Sequence, residues 1–162
     1  MSGDITTQHT CCFFGHREID ETEALVERLH AVIEDLITNK HVDTFLFGSK
    51  SRFNSLCYEQ VTKIRETHPH IKQIYVRAEF PYINDDYQAY LLENYEDTYY
   101  PQKAVGAGRA AYVMRNREMI DNSRFCVVYC QDGYSPKNHK SGTKAALDYA
   151  VNRNKHIIRI TL

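Results

Sequence analysis

Two glycine-bearing turns of one form stand at opposite ends of this chain. Gly15-His16-Arg17 closes the apolar run Cys11-Cys12-Phe13-Phe14, and a helical pattern follows. Ser141-Gly142-Thr143 follows the apolar run Phe125–Cys130 and a polar loop, and again a helical pattern begins. A strand, a small-residue turn and a helix start together make an anion site, because first-turn N–H groups have no partners within the helix. Two such turns point to a phosphate-bearing ligand.

The residues around these turns supply the matching chemistry. Gly15 lets backbone approach a ligand closely, and Arg17 can bond a phosphate in bidentate fashion. His16 can donate or accept near neutral pH. Gly48-Ser49-Lys50-Ser51-Arg52 is a third turn of this kind, whose hydroxyls and cations (Ser49, Lys50, Arg52) suit a phosphate or a ribose diol. It lacks the G-x-x-x-x-G-K-[ST] spacing of a Walker A loop, and no turn matches G-x-G-x-x-G. Arg109 and Arg115 lie six positions apart on one expected helix, so they need not share a face. Glu79 can take a ribose hydroxyl or act as a base, and Tyr82 can stack on a base. Asn116 and Asp121 are weaker polar candidates. Each turn also has a plainer reading: a tight turn with a solvated arginine at 15–17, a helix-capping loop at 48–52, and an N-cap at Ser141.

Alternating patterns must position these residues. Strands are predicted at 10–14, Thr44–Phe47, Ile71–Ala78, 124–130 and His156–Ile160, from apolar, β-branched and aromatic runs. Helices are predicted over Asp20–Asn39, Asn54–Thr67, 84–93, Gly106–Asn122 and 142–153, with a loop at 131–140. Asp20 and Glu23 form an expected capping pair for the first helix. The segment 79–102 holds Tyr82, Tyr87, Tyr90, Tyr95, Tyr99 and Tyr100, half of the 12 tyrosines, and suits either a lid or a dimer surface. Strands alternating with helices predict an α/β, Rossmann-like three-layer fold. The expected sheet is mainly parallel and five-stranded, in the order 3-2-1-4-5, with helices on both faces. In that order the chain reverses direction between strands one and four, where ligands bind in open α/β sheets.

Composition narrows the class. A length of 162 residues fits one domain, residues 1–162, with a substantial core. No apolar run approaches the roughly 20 residues that span a bilayer, and no basic-then-apolar leader opens the chain. A cytoplasmic protein without membrane association is expected. The net charge of −1 gives no broad basic footprint, which disfavours nucleic acid as a partner. Five cysteines without a C-x-x-C pair read as reduced core residues, and neither a metal nor a cofactor is expected.

These motifs also carry a resemblance. G-H-R at 15–17, R-N-R-E-M-I-D-N-S at 115–123 and S-G-T at 141–143 look like the SLOG superfamily. It includes the LONELY GUY phosphoribohydrolases, the DNA-processing protein A family and bacterial nucleotide-sensing domains. G-S-K-S-R-F at 48–53 and Y-V-R-A-E-F-P-Y at 75–82 are similar to small stand-alone members from bacteria and their phages. The resemblance covers nearly the whole chain. It implies a Rossmann-like fold that binds nucleotides or their derivatives at the strand C-termini. In the phosphoribohydrolases a P-G-G-x-G-T-x-x-E signature holds phosphate and supplies a glutamate for N-glycosidic cleavage. The corresponding stretch, His139 to Ala146, keeps Gly142-Thr143 but carries Ala146 in the glutamate's place. The family's helical arginine corresponds to Arg115.

An alanine can neither stabilise an oxocarbenium-like centre nor activate water. The expectation is therefore binding without cleavage, with no catalytic residue assigned. The expected ligand is an adenine nucleotide or a cyclic ADP-ribose-like signal, and in a phage setting such a binder would be a sponge for an immune messenger. The alternatives are a LONELY GUY-like hydrolase of nucleoside monophosphates and a nucleic-acid-processing accessory protein. A homodimer or higher homo-oligomer is expected, because related folds commonly pair and the tyrosine segment offers contact surface.

Overall fold

A computed structural model describes residues 6–130 and 142–160. Its strands are β1 (Thr10–Gly15), β2 (Thr44–Phe47), β3 (Lys72–Val76), β4 (Asp97–Tyr99), β5 (Phe125–Tyr129) and β6 (His156–Arg159). The helices are α1 (Glu23–Thr38), α2 (Arg52–Arg65), α3 (Asp85–Leu92), α4 (Ala111–Asp121) and α5 (Gly142–Asn152). One sheet runs β4-β3-β2-β1-β5-β6, and every neighbouring pair is parallel. The five expected strands keep their expected order, but the sheet has six. The extra edge strand, β4, comes from the tyrosine-rich segment, where three residues give too short a period-two pattern to stand out from a loop.

Alternation along the strands builds the three layers. On β1, Cys11 and Phe13 face one core with α1 and α2, while Cys12 and Phe14 face the other with α4 and α5. β5 divides the same way: Phe125, Val127 and Tyr129 on the first face, Cys126 and Val128 on the second. Successive strand side chains point to opposite faces, so a doubly covered sheet needs unbroken apolar runs of this kind. The free cysteines Cys11, Cys12, Cys57 and Cys126 are buried in these two cores.

Local signals set the helix boundaries. Thr22, rather than the Asp20–Glu23 pair, caps α1: its hydroxyl accepts from the Leu25 N–H. Thr22→Ala is expected to cost about 1 kcal/mol in urea unfolding, while Asp20→Ala stays within about 0.5 kcal/mol. Equal losses for the two variants would show that the cap is shared. Ser51 caps α2 by accepting from Asn54 N–H, and Asn84 caps α3 by accepting from Tyr87 N–H. The helix expected from Gly106 begins as α-helix only at Ala111, after a 3-10 turn at Gly108–Ala110. Gly108 has φ of +61°, a left-handed conformation that does not propagate a helix.

The tyrosines separate into two sets. Tyr95 packs against Tyr58 and Tyr75 at ring distances of 5.0 and 5.3 Å, and Tyr100 donates to the Ala104 carbonyl. Tyr82 and Tyr90 are exposed. Among the described residues no helix is long and apolar enough to cross a membrane.

Candidate functional site

The strand order places the chain's reversal between β1 and β5, which stay paired up to Gly15 opposite Tyr129. β1 leads through α1 towards β2 on one side, and β5 leads through α5 to β6 on the other. The two connections diverge at the carboxyl ends of these strands, the place where open α/β sheets generally bind ligands. His16 is buried beside Tyr129, with ring centres 5.9 Å apart, and burial pushes its imidazole below the usual value. Arg17 is exposed, and among the described residues its side chain makes no hydrogen bond or ion pair.

Gly15 serves packing. A Cβ placed on it would run into the Cβ, Cγ and Cδ2 atoms of Phe53, the second residue of α2. The Phe53 ring is fully buried and stacks on Tyr129 at 5.5 Å. Asn54 follows it, also buried, and donates from Nδ2 to the Phe13 carbonyl at 3.2 Å. The start of α2 is thus fixed against the end of β1, and the Arg52 N–H donates to the Arg17 carbonyl at 2.8 Å.

The 48–52 turn divides its groups. Ser49 Oγ accepts from Ser51 N–H at 3.0 Å, so this hydroxyl serves the turn itself. Arg52 is held by Glu21 and Glu59, and the Glu21 carboxylate pushes its pKa up. Lys50 reaches across to Glu79, Nζ to Oε1 at 2.9 Å, a contact that raises the Lys50 pKa. Glu79 lies three residues beyond the end of β3, because the strand stops at Val76 rather than at the expected Ala78.

Arg115 is the most constrained polar group in this region. Ala111, Arg115 and Met119 recur every fourth residue on the buried stripe of α4, so a guanidinium stands where the pattern asks for an apolar side chain. It is 6% exposed. Nη1 donates to the carbonyls of Gly48 and Val76, the latter at 3.5 Å, and Nε donates to Asn116 Oδ1 at 2.8 Å. These acceptors are neutral, and among the described residues no carboxylate makes an ion pair with Arg115. Burial pushes its pKa down, opposed in small part by the Glu79 carboxylate. Gly48 makes room for it: a Cβ there would lie 2.8 Å from Arg115 Cδ and 2.9 Å from the Val76 carbonyl oxygen.

The remaining candidates lie outside this group. Arg109 sits exposed in the 3-10 turn before α4, and Tyr82 is 85% exposed; neither bonds to Arg115. Asp121 accepts from the Tyr149 hydroxyl at 3.0 Å, at the other end of α4. Gly142 opens α5 in an exposed position, and Thr143 beside it is buried. Ser141 lies outside the described residues. Ala146 is 4% exposed and packs in the core that contains Cys12 and Phe14.

No protein-family model and no curated protein matches this chain.

Three side chains that sequence reasoning passed over belong to the site. Tyr112, three residues before Arg115 and so on the same helix face, brings its half-exposed ring 5.9 Å from that guanidinium. Tyr75, on β3, lies near both Arg115 and Lys50 and packs against Tyr95 with ring centres 5.3 Å apart. Arg77 is buried and donates to the Phe80 and Pro81 carbonyls and to Thr98 Oγ1, so it pins the turn that carries Glu79. The i, i+3 spacing of Tyr112 to Arg115 was visible in the sequence. The role of Arg77 was not, because its acceptors lie in a turn and on the unrecognised β4.

Proposed function

We propose that this chain binds a phosphate-bearing, nucleotide-derived small molecule at the carboxyl ends of β1, β2 and β3, and does not cleave it. The observation that carries this reading is Arg115, a buried guanidinium whose acceptors among the described residues, the Gly48 and Val76 carbonyls and Asn116 Oδ1, are all neutral. A buried cation with no carboxylate in direct contact is costly, and a ligand phosphate relieves that cost through charge-assisted hydrogen bonds. Tyr112 supports the nucleotide part of the reading, because an aromatic face beside the cation can stack a base. The resemblance to SLOG proteins supports the same ligand class, and Ala146 in the glutamate's place supports binding without hydrolysis.

The test is mass spectrometry of small molecules released by heat from purified protein. The protein is first incubated with a nucleotide panel that includes AMP, ADP-ribose and cyclic ADP-ribose isomers. One intact nucleotide, retained near stoichiometrically, is expected. Retention of none overturns the reading. Free base accumulating beyond the amount of protein would replace it with the phosphoribohydrolase alternative.

A further inference from the structure

We infer that Glu79 is a built-in counter-anion of this site, held by Lys50 at the Gly48–Arg115 junction, which an incoming phosphate must displace. The inference rests on the phosphate-site reading above and adds what guards that site.

The geometry runs through two short segments. Arg115 Nη1 donates to Gly48 and Val76, so its guanidinium clamps the carboxyl ends of β2 and β3 together. Lys50 stands two residues beyond Gly48, and Glu79 three residues beyond Val76. Their 2.9 Å ion pair therefore bridges the same two segments just outside the clamp. Arg77 fixes the turn between Val76 and Glu79 by bonding the Phe80 carbonyl at 2.9 Å and Thr98 at 3.1 Å. Arg77 thus fixes the backbone that carries Glu79, and Lys50 holds the carboxylate itself.

Glu79 is paired with Lys50 and its charge also acts at Arg115, which has no ion-pair partner of its own among the described residues. A ligand phosphate entering between Lys50 and Arg115 meets this carboxylate and must turn it out to solvent. Glu79 then acts as an internal competitor, which is the reverse of a residue that contacts ribose. The consequence is selectivity by charge. A group with two negative charges, a phosphomonoester or a pyrophosphate, outcompetes the carboxylate at the two cations, whereas a singly charged group exchanges one monoanion for another.

Titrating wild type and Glu79→Gln with inorganic phosphate, followed at the Arg115 Nε–H by nitrogen-15 NMR, tests this. Glutamine keeps the shape and removes the charge. The variant is expected to bind phosphate about tenfold more tightly, with the advantage shrinking as salt is added. Equal or weaker binding by Glu79→Gln overturns the inference and leaves the phosphate site standing. Absence of any Arg115 response in either protein overturns both.

Discussion

Replacing Arg115 with methionine is expected to weaken nucleotide binding by about 10- to 150-fold, the loss of one hydrogen bond to a charged group, worth roughly 1.5–3 kcal/mol. Methionine retains much of the apolar stem that packs in the stripe between Ala111 and Met119. It removes the donors that reach Gly48 and Val76 together with the positive charge. The unsatisfied carbonyls cost stability, while loss of a buried charge offsets part of that cost. Binding should therefore fall much further than melting temperature. Arg115→Lys keeps the charge but cannot donate in a fork to Gly48, Asn116 and a ligand at once, so it should fall between wild type and methionine. Arg17→Ala supplies the contrast, because an exposed arginine has a smaller part of its bond strength to lose. Isothermal calorimetry on the three variants ranks them. A methionine variant that binds like wild type would move the site away from α4.

Gly15→Ala should produce the largest stability loss, about 3 kcal/mol, which lowers the melting temperature by roughly 6–12 °C for a chain of this size. The added methyl meets three atoms of Phe53, and that ring has no room to retreat because it is stacked on Tyr129 and fully buried. Relief must come from moving α2 relative to β1. Such a movement strains the Asn54 bond to the Phe13 carbonyl and the Arg52 bond to the Arg17 carbonyl. Combining Gly15→Ala with Phe53→Leu is expected to recover part of the loss, because the smaller side chain vacates the contested space. Differential scanning calorimetry on the single and double variants reads this directly. Simple additivity of the two losses would show that the contact with Phe53 is not the cause.

Much of the fold was legible because the helices and the central strands are strongly patterned. α1 repeats Leu25, Leu29, Val32, Ile33 and Leu36 on one face, and β1 and β5 are unbroken apolar runs, as a sheet covered on both sides requires. β4 was hidden because three half-buried residues carry almost no periodic signal; its place comes from pairing with β3, which no local window contains. The N-cap of α1 was misplaced by two residues, since Asp20, Thr22 and Glu23 are all good cap or first-turn residues and only the turn geometry chooses among them.

The candidate site divides along the same line. By itself the sequence determined the alternation of strands and helices, the glycine-bearing turns that follow the first and second strands, and the cations, hydroxyls and tyrosines gathered around them. Only the tertiary structure decided what each group does there. Gly15 accommodates Phe53, Gly48 accommodates Arg115, Arg52 is engaged by Glu21 and Glu59, and Lys50 meets Glu79. The physical reason is sequence separation. Residue types and local spacing follow from backbone geometry over a few positions. Whether an arginine faces a carboxylate, a carbonyl or an open crevice depends on segments tens of residues away, brought beside it by the sheet.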